Sequence, residues 1–285
     1  MTGKKGINVS GMTICAILGI AASLAILAPI LKEYVGKPGY ADYQNLNQLL
    51  QENYRQGDYM LFEPNWLRGF ARDLSRLQFI PDYEDNVFEK GLAERIWHVS
   101  STDKPPKTSL TIKEESTTKI GRLRITLYEV KRENPTLYEM LGQARASLDG
   151  VEGRFDGESV VFDGLPEWTR IYRTTEYFHG DAHNAILFHP MTGNTKSLSL
   201  TDLPAGTFYL TYGLKQRFDC NPEGMVHVKV AANDDIISED SLMIKKGGVR
   251  REKIDLTGSR NSIVIEADTL NDTCMHFYIN GYHAD

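Results

Sequence analysis

The sequence predicts three parts in order: one membrane-spanning helix over residues 11–31, a small α/β domain over 41–147 and an antiparallel β-sandwich over 148–285. Three observations predict them. An apolar run without a charge, Gly11 to Leu31, opens the chain (GMTICAILGIAASLAILAPIL). The stretch after it alternates helical spacing with short apolar runs, and from about Leu148 short alternating runs recur between turns marked by glycine and proline.

At about 1.5 Å per residue, a helix over Gly11 to Leu31 reaches across the ~30 Å hydrocarbon layer. Lys4 and Lys5 precede it and Lys32, Glu33 and Lys37 follow, so the charge asymmetry is small. Orientation rests on the short basic segment 1–10 staying inside while the rest crosses, which places the soluble region outside the cytoplasm. A cleaved signal peptide has a shorter apolar core, whereas this one continues past Ala21 and Ala22 to Leu31. The order Lys4, Lys5, Gly11, Met12 resembles a type IV pilin leader, with Ala16 standing where such a leader carries glutamate. A lipoprotein box needs a small residue before Cys15, and Ile14 is there. Residues 32–40, rich in glycine and lysine, read as a linker.

With 285 residues and an apolar share of 41%, the chain has ample material for two soluble cores. The balance of 32 basic against 38 acidic residues, without a long run of either sign, argues against a nucleic-acid partner. Of the three cysteines, Cys15 lies in the apolar run, leaving Cys220 and Cys274 as the soluble pair. In an oxidising compartment they form a disulfide; two free thiols is the alternative.

In the α/β part, Tyr43, Leu46, Leu49, Leu50 and Tyr54 have helical spacing, and Gly57 ends the element. Tyr59 to Phe62 reads as a buried strand. A second helix carries Trp66, Leu67, Phe70, Ala71 and Leu74 on one face; Leu77 to Ile80 and Arg95 to Ser100 are further strand candidates. Such alternation predicts a parallel sheet, here a small Rossmann-like one. Its first turn holds Glu63-Pro64-Asn65 where a nucleotide-binding fold has a glycine-rich loop, which excludes pyrophosphate binding of that kind. Leu123, Ile125 and Leu127 alternate with Arg124 and Thr126 as in a half-exposed strand, and Thr136 to Ala146 has helical spacing.

The last part offers nine strand candidates: Ser159 to Phe162, Trp168 to Arg173, Ala185 to His189, Ser197 to Leu200, Thr207 to Tyr212, Met225 to Val230, Lys253 to Leu256, Ser262 to Ala267 and Cys274 to Ile279. Pro204-Ala205-Gly206, Asn221-Pro222, Gly247-Gly248 and Asn280-Gly281 punctuate them. Many short strands at this spacing predict a sandwich or jelly roll. In Met225 to Val230 the valines face one way and His227 and Lys229 the other.

Gln56-Gly57-Asp58-Tyr59 to Phe62, with Arg95-Ile96-Trp97-His98-Val99-Ser100, resembles the soluble extracytoplasmic region of dolichyl-phosphate-mannose-type glycosyltransferases. Ile186-Leu187-Phe188-His189-Pro190, Leu203-Pro204-Ala205-Gly206 and Phe277 to Gly281 resemble galactose-binding-like jelly rolls. The first resemblance implies a soluble domain without the reaction centre, because those transferases use acidic loops between many membrane helices. Together they imply an accessory or binding protein in envelope glycan handling, with a glycan or an envelope protein as partner.

Sugar sites set aromatic rings against the CH face of a pyranose beside polar groups for its hydroxyls. Trp168, Tyr172, Tyr177 and Phe178 in one stretch, and Tyr212, Arg217 and Phe218 around a loop, supply such groups, although most aromatics of a sandwich pack its core. His179, Asp181 and His183 alternate and could share a metal with His189 nearby; a solvated loop before Ala185 is the plainer reading. Glu63, Asn65 and Arg68 stand where open α/β sheets bind ligands, with helix capping the simpler role for Asn65. Asp234-Asp235 and Glu239-Asp240 read as a solvated loop. No hydrolase or metalloprotease motif occurs, and no cofactor is implied. A glycan-active enzyme with a site between the two domains, and a subunit of a surface filament, are the alternatives to a binding role.

Overall fold

The computed structural model describes residues 37–55, 57–75, 80–132, 135–178, 181–215, 224–243, 249–270 and 276–284. No helix among the described residues is long and apolar enough to cross a membrane, and the 11–31 run lies outside them.

Helix α1 (Tyr40–Asn53) begins where the Asp42 carboxylate accepts the Gly39 N–H at 2.8 Å, and it buries Tyr43, Leu46 and Leu50. Strand β1 (Asp58–Glu63), helix α2 (Trp66–Ser75) and strand β2 (Arg95–Ser100) form one parallel crossover unit, with Asp58 opposite Arg95. Next come β3 (Ile112–Ile120) and β4 (Leu123–Val130), a hairpin that pairs antiparallel with β2, so the sheet order is β1-β2-β4-β3. Gly121 closes that hairpin at φ +54, where any Cβ would strike the Asp42 carboxylate.

The Rossmann-like expectation is therefore corrected: one parallel pair exists, and an antiparallel hairpin occupies the place where further crossover units would extend a parallel sheet. Leu77 to Phe79 lie outside the described residues, and Asp82 pairs with Met60 as an isolated bridge outside any named strand. β4 is buried on both faces, not half-exposed, because the sheet is covered twice. Met60, Phe62, Trp97, Val99, Ile125 and Leu127 meet the two helices, while Tyr59, Ile96 and Val130 meet Tyr282 of the sandwich.

The helix expected over 136–146 is only α3 (Leu137–Met140), capped by reciprocal Thr136–Glu139 bonds, after which the chain enters β5 (Arg145–Leu148). Short strands β6 (Val151–Glu152), β7 (Arg154–Phe155) and β8 (Ser159–Val161) follow, then β9 (Ile171–Phe178) and β10 (Asp181–Phe188). The remainder is β11 (Lys196–Leu203), β12 (Gly206–Lys215), β13 (Met225–Ala232), β14 (Asp235–Met243), β15 (Val249–Leu256), β16 (Asn261–Thr269) and β17 (His276–Ala284).

These strands build a two-sheet antiparallel sandwich, with orders β15-β12-β17-β10-β9-β8-β7 and β14-β13-β16-β11-β5-β6. Its core interleaves residues such as Leu198, Val228 and Ile265 from one sheet with Ile186, Phe208 and Phe277 from the other. Val226, Val228 and Val230 point inward as their alternation requires. Of the acidic residues read as a loop, Asp234 lies in a turn, while Asp235, Glu239 and Asp240 belong to β14, an edge strand that buries only Leu242.

The outer face of the seven-stranded sheet carries the α/β layer. Tyr209 and Tyr282 stack at 5.2 Å, Phe88 meets Tyr209 edge-on, and the Tyr282 hydroxyl donates to the Val87 carbonyl at 2.5 Å. At Gly91 a Cβ would lie 2.1 Å from the Tyr282 ring, so only glycine fits this contact.

Candidate functional site

An open groove of about 920 Å³ lies at the β8–β9 side of the sandwich, lined by Glu158, Ser159, Glu167, Trp168, Arg170, Tyr172 and Arg173. Its wall is made by a tight 3-10 turn, Glu167–Thr169, in which the Thr169 hydroxyl donates to the Pro166 carbonyl at 2.7 Å and the Arg170 N–H to the Glu167 carbonyl at 3.2 Å. The turn buries Thr169 and leaves Trp168 47% exposed. One residue into β9 the alternation takes over: Ile171 points into the core and Tyr172, 37% exposed, points out.

Polar groups flank the two rings. Arg170 pairs with Glu167 at 3.3 Å. Arg173 donates to the Tyr138 carbonyl at 2.8 Å, with its guanidinium over the Tyr138 and Phe155 rings at 5.1 and 5.7 Å, so it is a fixed edge of the groove. Two arginines and two glutamates among the lining residues leave the groove without net charge. A row of rings continues from it: Trp168 meets His189 at 5.2 Å, His189 meets His276 at 5.6 Å, and His276 Nδ1 lies 3.0 Å from the Tyr278 hydroxyl.

The residues singled out from sequence fall in several places. Trp168 and Tyr172 come together. Tyr177 lies in β9 opposite Ala182. Tyr212 is fully buried; its ring packs on Phe277, and its hydroxyl donates to Asp240 at 2.5 Å. Arg217, Phe218, Cys220, Cys274 and His179 lie outside the described residues. Asp181 and His183 belong to β10, which begins four residues before the Ala185 expected to start it. Among the described residues, no three His, Cys, Asp or Glu side chains gather as a metal would need.

At the carboxyl end of β1 and β2, Glu63 accepts from His98 Nε2 at 3.2 Å and from the Lys107 N–H at 3.3 Å. Burial holds the His98 imidazole below its ordinary pKa, opposed by the Glu63 carboxylate. Arg68 pairs with Asp82 at 2.5 Å. A second space, of about 330 Å³, opens where the α/β layer meets the sandwich, and its side-chain charges are Lys90, Lys131 and Arg132. Arg132 is engaged by Glu139 at 2.7 Å.

No family model and no curated protein matches the chain, so the resemblance of its first half to dolichyl-phosphate-mannose-type glycosyltransferases finds no support there. Solved structures do match. TmCBM61 in complex with β-1,4-galactotriose is 14% identical with a TM-score of 0.27, over 50% of this chain and 88% of that one. A family 35 carbohydrate binding module from an environmental isolate is 18% identical with a TM-score of 0.27, over 39% and 80%. A CBM35 from Paenibacillus barcinonensis is 11% identical with a TM-score of 0.27, over 53% and 99%. Likenesses of this size bear on neither the ligand nor the site of this chain.

Proposed function

We propose that the chain is a glycan-binding protein whose ligand lies in the Trp168–Tyr172 groove. The observation that carries this reading is the pair of exposed rings beside charged groups of both signs. An aromatic plane removes the CH face of a pyranose from water, while guanidinium and carboxylate groups take its hydroxyls in pairs. A groove without net charge suits a neutral sugar. The apolar run 11–31 supports a further part of the proposal, a single-pass anchor that holds the glycan-binding region outside the cytoplasm.

A hydrolase site between the α/β layer and the sandwich has less support. The charged side chains lining that space are cationic, whereas glycoside hydrolysis calls for a carboxylate pair.

A glycan array probed with the chain from Lys37 onward, followed by calorimetry on the best ligand, tests the reading. Replacing Trp168 or Tyr172 by alanine should each weaken binding roughly tenfold, about 1–2 kcal/mol, with the fold intact because both rings are exposed. An array without a ligand, or folded variants that bind as tightly as the parent, would refute it.

A further inference from the structure

Lys196 opens β11 in phase with Leu198 and Leu200, so alternation sends its side chain into the sandwich core, and it is fully buried. Burying an ammonium group opposes folding unless dipoles or charges meet it. Among the described residues no carboxylate pairs with it. Its Nζ instead donates to the Thr169 carbonyl at 2.6 Å and the His189 carbonyl at 2.7 Å, and sits 5.8 Å from the centre of the Phe162 ring. Burial pushes its pKa down to about 7.

Both carbonyls lie just outside the strand ladders, at the end of the 3-10 turn and one residue past β10. They flank one contact. Thr169 follows Trp168, and the His189 ring is the one that meets the Trp168 ring. A lysine from the six-stranded sheet thus crosses the core and ties together the two backbone segments of the other sheet that carry this ring pair.

We propose that Lys196 is a positioning residue, a strut that sets the orientation of Trp168 at the groove. Its consequence for binding rests on the glycan reading above; its hold on the Trp168 ring does not. A methionine at 196 would fill the same volume without donors, so the stem's packing and the ammonium's bonds are separable.

The test uses the full chain labelled with 5-fluorotryptophan, whose three indoles, Trp66, Trp97 and Trp168, are assigned with W168F. In K196M the Trp168 fluorine signal should shift and broaden while those of Trp66 and Trp97 stay in place, and affinity for the array ligand should fall about tenfold, as in W168A. An unmoved Trp168 signal in folded K196M overturns the proposal, and so does a moved ring with undiminished affinity for a ligand that requires Trp168. If K196M does not fold, the parent protein decides through couplings from Lys196 Nζ to the Thr169 and His189 carbonyl carbons. Their presence supports the strut, and a fast-exchanging, uncoupled ammonium signal ends it. Should W168A bind as the parent does, the glycan reading fails alone, and the fluorine signals still decide the role of Lys196.

Discussion

Replacing Asp58 by alanine should cost about 4 kcal/mol of stability. The carboxylate is fully buried and accepts four bonds: Arg95 Nε at 2.8 Å, Arg95 Nη2 at 2.6 Å, Trp97 Nε1 at 2.8 Å and the Arg55 N–H at 3.0 Å. Among the described residues, the buried guanidinium would then keep the Asn53 carbonyl, at 3.1 Å, and the face of the Trp97 ring, at 5.9 Å. Breaking a buried pair from one side costs about 3–5 kcal/mol, because the remaining charge stays out of water. The stranded indole and Arg55 donors keep the expected value from falling to the lower end of that range. Urea unfolding followed by Trp97 fluorescence, with Trp66 and Trp168 replaced by phenylalanine, measures it. The double variant D58L/R95M removes both charges and should be less destabilised than D58L, so the cycle completed with R95M should give a double-variant loss smaller than the sum of the single losses. A loss below about 1 kcal/mol for D58A would refute the argument that this cluster secures the β1–β2 register.

Three further perturbations have definite signs. Burial raises the Glu89 carboxyl to about 7, so between its unfolded value near ~4.3 and 7 the folded state binds more protons than the unfolded one, and stability should fall with rising pH by about 3 kcal/mol; E89Q should flatten that limb in pH-dependent urea midpoints. Lys196 acts oppositely, since its lowered pKa lets the unfolded state bind more protons from about 7 upward, so between pH 7 and about 9, below the range in which unfolded tyrosines ionise, stability should recover in the parent and not in K196M. Gly91→Ala forces a methyl into the Tyr282 ring and should lower the melting temperature by several degrees while leaving the Trp168 fluorine signal unmoved; an unchanged melting point would mean that the two layers separate without cost.

The elements legible in the sequence were those whose apolar residues face a core at a regular period. β1, β2, β13 and β16 are such elements, and so is α1, whose buried Tyr43, Leu46 and Leu50 repeat at helical spacing. Edge strands were hidden. β3 reads IKEESTTKI with no buried residue, and β14 buries only Leu242, so ladder bonds rather than side-chain burial hold them; β3 shows no apolar period, and the acidic residues of β14 read as a loop. The second cover on β4 was hidden for a different reason: its partner surface, with Tyr282, lies far along the chain. Of the groove, Trp168 and Tyr172 were visible as aromatics in a polar stretch, but nothing local distinguished them from Tyr212, whose ring completes the core. Lys196 did leave a signal, its phase with Leu198 and Leu200, which is visible only once that face is known to point inward.

β17 sits between β10 and β12, contributes Phe277 and Ile279 to the core, and presents Tyr278 and Tyr282 on the opposite face. It is also the last of the described strands to leave the ribosome. At translation rates of roughly 5–20 residues per second, the interval between β12 and β17 is on the order of 3–12 s. During that time the seven-stranded sheet exists as two halves with open edges, and the α/β layer has no Tyr282 to dock against. Such edges recruit strands from other molecules. Vectorial synthesis therefore exposes this protein to self-association at one definite stage, between the emergence of Lys215 and that of His276, and holdase capture during synthesis should concentrate on nascent chains of that length.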